Sequence, residues 1–142
     1  MVPTSRNNKT IVLTVGAAPG DALMLSRVAR DLKEQYPQFD VVIQTNVPDL
    51  FKHNPYCTTI GLRDKKPLGV HVPFNYKAAI TRSTVTGIHF VHAAHHILAE
   101  RGIHVPVRGV RPEVYLSDEE KAWRPCPEPY WVIVCGGKTD FT

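Results

Sequence analysis

The chain has 142 residues, enough for one domain of ordinary size and too few for two. Its 43% apolar content is sufficient to bury a core without a disulfide or metal staple. The net charge of +4 favours anionic partners, but only Arg63, Lys65 and Lys66 cluster, so the dense basic stripe of a nucleic-acid binder is absent and nucleic acid is not an expected partner.

Residues 1–9 read as a polar arm. Residues 11–15 (IVLTV) form a short apolar run of the kind found in strands buried on both faces. A glycine-rich turn follows at 16–20, and Asp21 opens a periodic segment. Leu25, Val28, Ala29, Leu32 and Tyr36 lie on one helical face of it, and Pro37 closes it. Residues 41–43 read as a second strand, 47–53 as a short helix and 58–62 as a third strand. This order implies right-handed crossovers and a parallel sheet. The signal then weakens: 69–72 are compatible with a strand, and 75–86 are polar and ambiguous. Residues 88–101 form a clear helix with Phe90, Val91, Ala94, Ile97 and Leu98 on one face and Gly102 as its cap. Residues 113–116 read as a last strand, and Ser117 with Glu120 as a capping box. The proline-rich joint 124–129 leads to another buried-type run, 130–135 (YWVIVC), and then to Gly136, Gly137, Lys138 and Thr139. That run either begins a new strand–helix unit or completes the first sheet.

The expected fold is therefore α/β, a Rossmann-like parallel sheet flanked by helices. Three cysteines (Cys57, Cys126 and Cys135) without CxxC spacing fit reduced thiols. The N-terminus lacks the apolar run of a signal peptide, and no apolar stretch is long enough to span a bilayer, so a cytoplasmic protein is expected.

Among the motifs, the strand–turn–helix at VLTVGAAPGDALM is the most informative. A glycine turn after the first strand of such a sheet lies at the carboxyl edge, where ligands bind. The spacing is not GxGxxG, so a dinucleotide fingerprint is absent. Spacing alone leaves two roles open for Asp21, a helix cap and a catalytic carboxylate. Gly137-Lys138-Thr139 is no P-loop, because Val132 stands where a Walker A motif needs glycine. His89, His92 and His96 share a helical stripe, with Glu100 one turn on, but no further ligand is evident, and no metal or cofactor is assigned. GxSxG, HExxH and CxxC are all missing.

Taken together, several segments resemble glycosyltransferase family 9, the ADP-heptose:lipopolysaccharide heptosyltransferases and their relatives. Residues 20–37 (GDALMLSRVARDLKEQYP) resemble the opening "GD … LK-x-x-YP" signature, and residues 50–55 (LFKHNP) the "LF-x-x-NP" stretch. The helix that starts near His89 and ends at Gly102-Ile103 is similar to the one ending in "LGI", and Leu116-Ser117 with Glu119 and Glu120 to the "LS-x-E-E" entry to the interdomain joint. The likeness covers nearly all of residues 10–140, through the order and spacing of its parts.

The resemblance implies the N-terminal half of a GT-B enzyme: an acceptor domain at 10–116, a linker at 117–129, and at 130–142 the first strand and loop of a nucleotide-sugar domain. Asp21 takes the place of the family's base. Pro19, Gly20, Arg63, Lys65, Lys66, His89 and His92 are the expected acceptor contacts, and Gly136, Gly137, Lys138 and Thr139 the start of the donor site. The expected partners are an ADP-sugar donor and a glycan or glycolipid acceptor, with peripheral membrane association. The short stretch between the third strand and the histidine helix departs from the family, as does the absence of its lysine–tryptophan pair after the glycine loop. The first departure bears on the basic acceptor contacts, and the second implies that most of the donor site is missing and that the chain alone is inactive. A stand-alone binding module that keeps the acceptor pocket is the competing expectation. An apolar 130–135 strand without its domain further predicts self-association.

Overall fold

Runs rich in β-branched residues, each bounded by turn formers, supply the strands. In the computed structural model of the chain, which describes residues 10–16, 18–124, 126, 128 and 129, they are β1 (Thr10–Val15), β2 (Asp40–Thr45), β3 (Thr58–Gly61) and β4 (Val70–Pro73). All pairings are parallel and the order is β3-β2-β1-β4. Leu13 pairs with Ile43 on one side and Val72 on the other, so this cross-strand row presents apolar side chains to the same face. At the start of β4 the chain passes so close to β1 that a Cβ on Gly69 would lie 2.3 Å from the Thr10 carbonyl oxygen, which admits only glycine. The α/β fold expected from the sequence is the fold observed.

The connections carry α1 (Pro19–Leu23) and α2 (Leu25–Gln35), a 3-10 turn at Pro48–Phe51, then α3 (Tyr76–Thr86), α4 (Phe90–Ala99) and α5 (Asp118–Ala122). Ile11, Leu13, Val15, Val41, Ile43 and Val72 from the sheet pack with Leu25, Val28 and Leu32 of α2 and Ala94 and Leu98 of α4 in one buried cluster. Burying a Leu or Val side chain contributes roughly 1.5–3 kcal/mol, so these positions dominate the stability of the domain. No helix among the described residues is long and apolar enough to cross a membrane.

Two local expectations need correction, and one ambiguous stretch is resolved. The helix expected to open at Asp21 is two helices divided at Met24, and the first starts at Pro19. Residues 75–86 are helical: Asn75 caps them by accepting from the Ala78 N–H at 3.2 Å, and Gly87 ends them at φ 66°. The sequence hid this helix because Ile80 and Val85 are exposed and no apolar stripe marks it. Residues 113–116 add no strand; instead the whole stretch 103–117 is an extended strap laid along α2. It stays off the sheet because its polar groups pair with α2: Ser26 Oγ accepts the Glu113 N–H at 2.8 Å, Arg30 reaches Glu113 at 2.6 Å, and the Tyr36 hydroxyl donates to the His104 carbonyl at 2.8 Å.

Two end signals were legible. Gly102 at φ 76° and Ile103 close α4 in a Schellman motif, with Ile103 N–H to Leu98 O at 3.0 Å and Gly102 N–H to Ala99 O at 2.9 Å. Ser117 and Glu120 make the expected capping box, each side chain accepting from the other's backbone N–H. The expected arm at 1–9 and the strand and glycine loop at 130–142 lie outside the described residues.

Candidate functional site

In a parallel sheet the chain leaves every strand at the same edge, and a crevice opens where the strand order reverses. Here the chain steps from β1 to β2 to β3 and then returns to place β4 on the far side of β1. The reversal falls between β1 and β4. The turn after β1 carries Pro19, Gly20 and Asp21, and the turn after β4 carries Asn75 and Tyr76.

Asp21 lies in the first turn of α1, three residues after the N-cap residue Ala18, and no side chain caps that helix. The cap reading of Asp21 is therefore replaced by one in which the carboxylate stays available. Its neighbour is the Tyr76 phenol, whose pKa is raised, chiefly by hydrogen bonding to the Asp21 carboxylate, then by burial and by that carboxylate's charge. The phenol thus stays protonated beside the Asp21 carboxylate. Pro19 and Gly20 are exposed, and a Cβ built on Gly20 would meet nothing within 4 Å, so space is open above this turn.

Tyr76 also packs on Phe90, with ring centroids 5.7 Å apart, which brings the start of α4 to the same end of the sheet. His89, the residue before Phe90, is exposed and caps α4 through Nδ1, which accepts the Val91 N–H at 3.2 Å. His89 therefore presents its other ring nitrogen, Nε2, for contacts outside the helix. His92 follows one turn later and is half-buried.

On the other side of β1 the turn after β3 holds Arg63, Lys65 and Lys66, all exposed. The conformation of this turn is fixed from below by Gln44, a buried residue of β2. Its Nε2 faces the carbonyls of Gly61, Leu62 and Asp64 at 3.3, 3.2 and 3.2 Å, and its Oε1 accepts from the Thr14 hydroxyl at 3.1 Å. Asp64 completes the turn by accepting the Gly61 N–H at 2.7 Å. Leu62 leans back towards β1, 3.4 Å from where a Gly16 Cβ would stand. The basic turn and the Asp21 turn therefore share the carboxyl edge, two strands apart.

The structure thus puts Asp21, Gly20, Pro19 and His89 at one end of the sheet, with Arg63, Lys65 and Lys66 on the same edge two strands away. Gly136, Gly137, Lys138 and Thr139 lie outside the described residues. Tyr76, Asn75 and Gln44 were not singled out from the sequence. A tyrosine in an ambiguous polar segment carries no periodic signal, and a glutamine inside a strand reads only as an interruption. Among the described residues, no three His, Cys, Asp or Glu side chains are grouped to hold a metal ion.

A hollow of about 470 Å³ lies at the opposite, amino edge, lined by Lys33, Asp40, Asn54 and Cys57 among others. Burial pushes the Cys57 thiol up to about 12, so it is a poor nucleophile at neutral pH. Lys33 already donates to the Phe39 carbonyl at 2.8 Å. Chemistry is better served at the carboxyl edge, where a carboxylate and a phenol are neighbours and an exposed imidazole stands at the start of α4. No protein-family model, no curated protein and no solved structure matches this chain.

Proposed function

We propose that this chain is the acceptor-binding half of an inverting glycosyltransferase similar to family 9, with Asp21 as the base. The observation that carries the reading is the pairing of Asp21 with Tyr76 at the reversal of strand order, under open space above Gly20. An acceptor hydroxyl placed there attacks the anomeric carbon of a nucleotide sugar from the face opposite the diphosphate. The new C–O bond forms as the bond to the diphosphate breaks, and Asp21 takes the hydroxyl proton. A carboxylate is a weak base, but it suffices when deprotonation is late, after bond formation has acidified the hydroxyl. Tyr76 would hold one carboxylate oxygen and leave the other for the acceptor.

Arg63, Lys65 and Lys66 supply positive charge for an anionic glycan or glycolipid, and His89 and His92 supply ring nitrogens for acceptor hydroxyls. The donor would be a nucleotide sugar such as an ADP-sugar, bound by a second domain to which Gly136, Gly137, Lys138 and Thr139 would contribute the first donor contacts. The corresponding location is the cytoplasm, with peripheral contact at a membrane that displays the acceptor. Because donor and acceptor must be held together, the chain by itself is expected to transfer no sugar.

Acceptor binding is tested by NMR titration of the chain with a phosphorylated lipopolysaccharide-core oligosaccharide. Shifts should concentrate at Gly20, Asp21, Tyr76, His89 and the 63–66 turn. A titration that leaves these residues unmoved while others shift would place the site elsewhere and end the proposal.

A further inference from the structure

Arg27, Asp31 and His95 are 7%, 0% and 3% exposed and meet between α2, α4 and the strap. Asp31 binds the Arg27 guanidinium through Oδ1. Its Oδ2 accepts the Arg108 backbone N–H of the strap at 3.3 Å and lies 3.1 Å from His95 Nε2. The other ring nitrogen of His95, Nδ1, is 2.8 Å from the Val91 carbonyl oxygen. A carbonyl can only accept, so Nδ1 carries the hydrogen. Nε2 has no aligned hydrogen-bond partner despite its closeness to Asp31, and in the neutral ring it is a bare lone pair.

Protonating Nε2 would set two cations, Arg27 and His95, against the single carboxylate of Asp31 inside the protein. The other titratable or charged groups facing His95 do not relieve this. α4 offers His92 and His96, and the strap offers His104 and Arg108, with His96 and His104 lining a hollow of about 360 Å³ beside the ring. Burial accordingly holds the His95 imidazole below its ordinary value near 6.5, against opposing pulls from Val91 and Asp31.

We propose that the Arg27–Asp31–His95 cluster is an acid-sensitive latch, which holds residues 103–113 against α2 and α4 at neutral pH and releases them on acidification. When the strap lifts, the imidazole reaches water and takes up the proton that the closed site refuses. The closed state binds fewer protons than the open one. Its stability from this group is therefore complete above about pH 6.5 and falls as the pH drops from there towards the lower closed-state value. Release would also free the N-terminal end of α5, which follows the strap directly.

The test is amide exchange of residues 103–113 in the 142-residue chain between pH 7.5 and 5, corrected for the intrinsic exchange rate. A parallel NMR titration follows the His95 ring. The opening constant of the strap should rise by up to about tenfold per pH unit below 6.5. The same curve in His95→Gln should be flat, and the His95 midpoint should lie below 6.5. Strap protection independent of pH in the native chain, the same pH dependence in His95→Gln, or a His95 midpoint at or above 6.5 would each overturn the latch. If His95→Gln does not fold, the native exchange curve and ring titration decide the matter alone.

Discussion

The two flanks of α2 are built on different principles. Towards the sheet, Leu25, Val28 and Leu32 meet Leu13, Ile43 and Val72 in a dry apolar core. Towards the strap, Ser26 and Asp31 accept the Glu113 and Arg108 backbone N–H groups, Arg30 binds the Glu113 carboxylate, and Arg27 is held by Asp31. Both flanks are buried, so most residues of α2 are shielded from water. The apolar flank is held by area, which tolerates small shifts. The polar flank is held by a few directed contacts, each of which leaves a buried group unsatisfied when its partner is lost.

Removing Asp31 should have the largest effect. Asp31→Ala leaves the buried Arg27 guanidinium without its carboxylate and should cost about 4 kcal/mol in denaturant unfolding. A loss under about 1 kcal/mol would mean that the polar flank behaves as ordinary surface. Replacing both partners, as Arg27→Met with Asp31→Leu, should recover most of that loss, because no charge is then left buried alone. On the apolar flank, Leu32→Ala should cost about 3 kcal/mol through lost burial and a residual cavity, with little change at the strap. Hydrogen exchange that loosened the strap as much as the core would show that the two flanks are not separable. A smaller effect, about 1–2 kcal/mol, is expected for Ser26→Ala, which orphans the Glu113 N–H; its exchange protection should drop first. Smallest of the four, Ser117→Ala removes one arm of the capping box at the far end of the strap and should cost about 1 kcal/mol or less, confined to α5.

What could be read from the sequence follows the same division. The first three strands were legible as short apolar runs and α2 and α4 from the helical period of their apolar residues, β4 was only compatible with a strand, and Gly102 and the Ser117–Glu120 pair marked ends through local chemistry. Arg27 and Asp31 gave no such signal. A lone Arg–Asp pair at i, i+4 is ordinarily a solvated surface pair, and only the return of the strap over α2 buries this one. Only the end of the strap, 113–116, was misread as a strand, because EVYL has strand-like composition, while the partners of Glu113 are side chains of a helix 83–87 positions away in sequence. At the carboxyl edge, Asp21 and the basic turn stood out from their place after β1 and β3. Tyr76 did not, because its meaning depends on β4 lying beside β1, a pairing between distant segments.

The most direct test of the account is the rate of sugar transfer after Asp21→Asn, in a transferase that joins this chain to a family 9 donor domain. The substitution keeps shape and hydrogen-bonding capacity but removes the basic carboxylate. The account predicts an almost unchanged melting temperature and a fall in kcat of roughly 10²–10⁴-fold. An Asp21→Asn enzyme that keeps most of its kcat would contradict it and leave Asp21 as a structural residue of the turn.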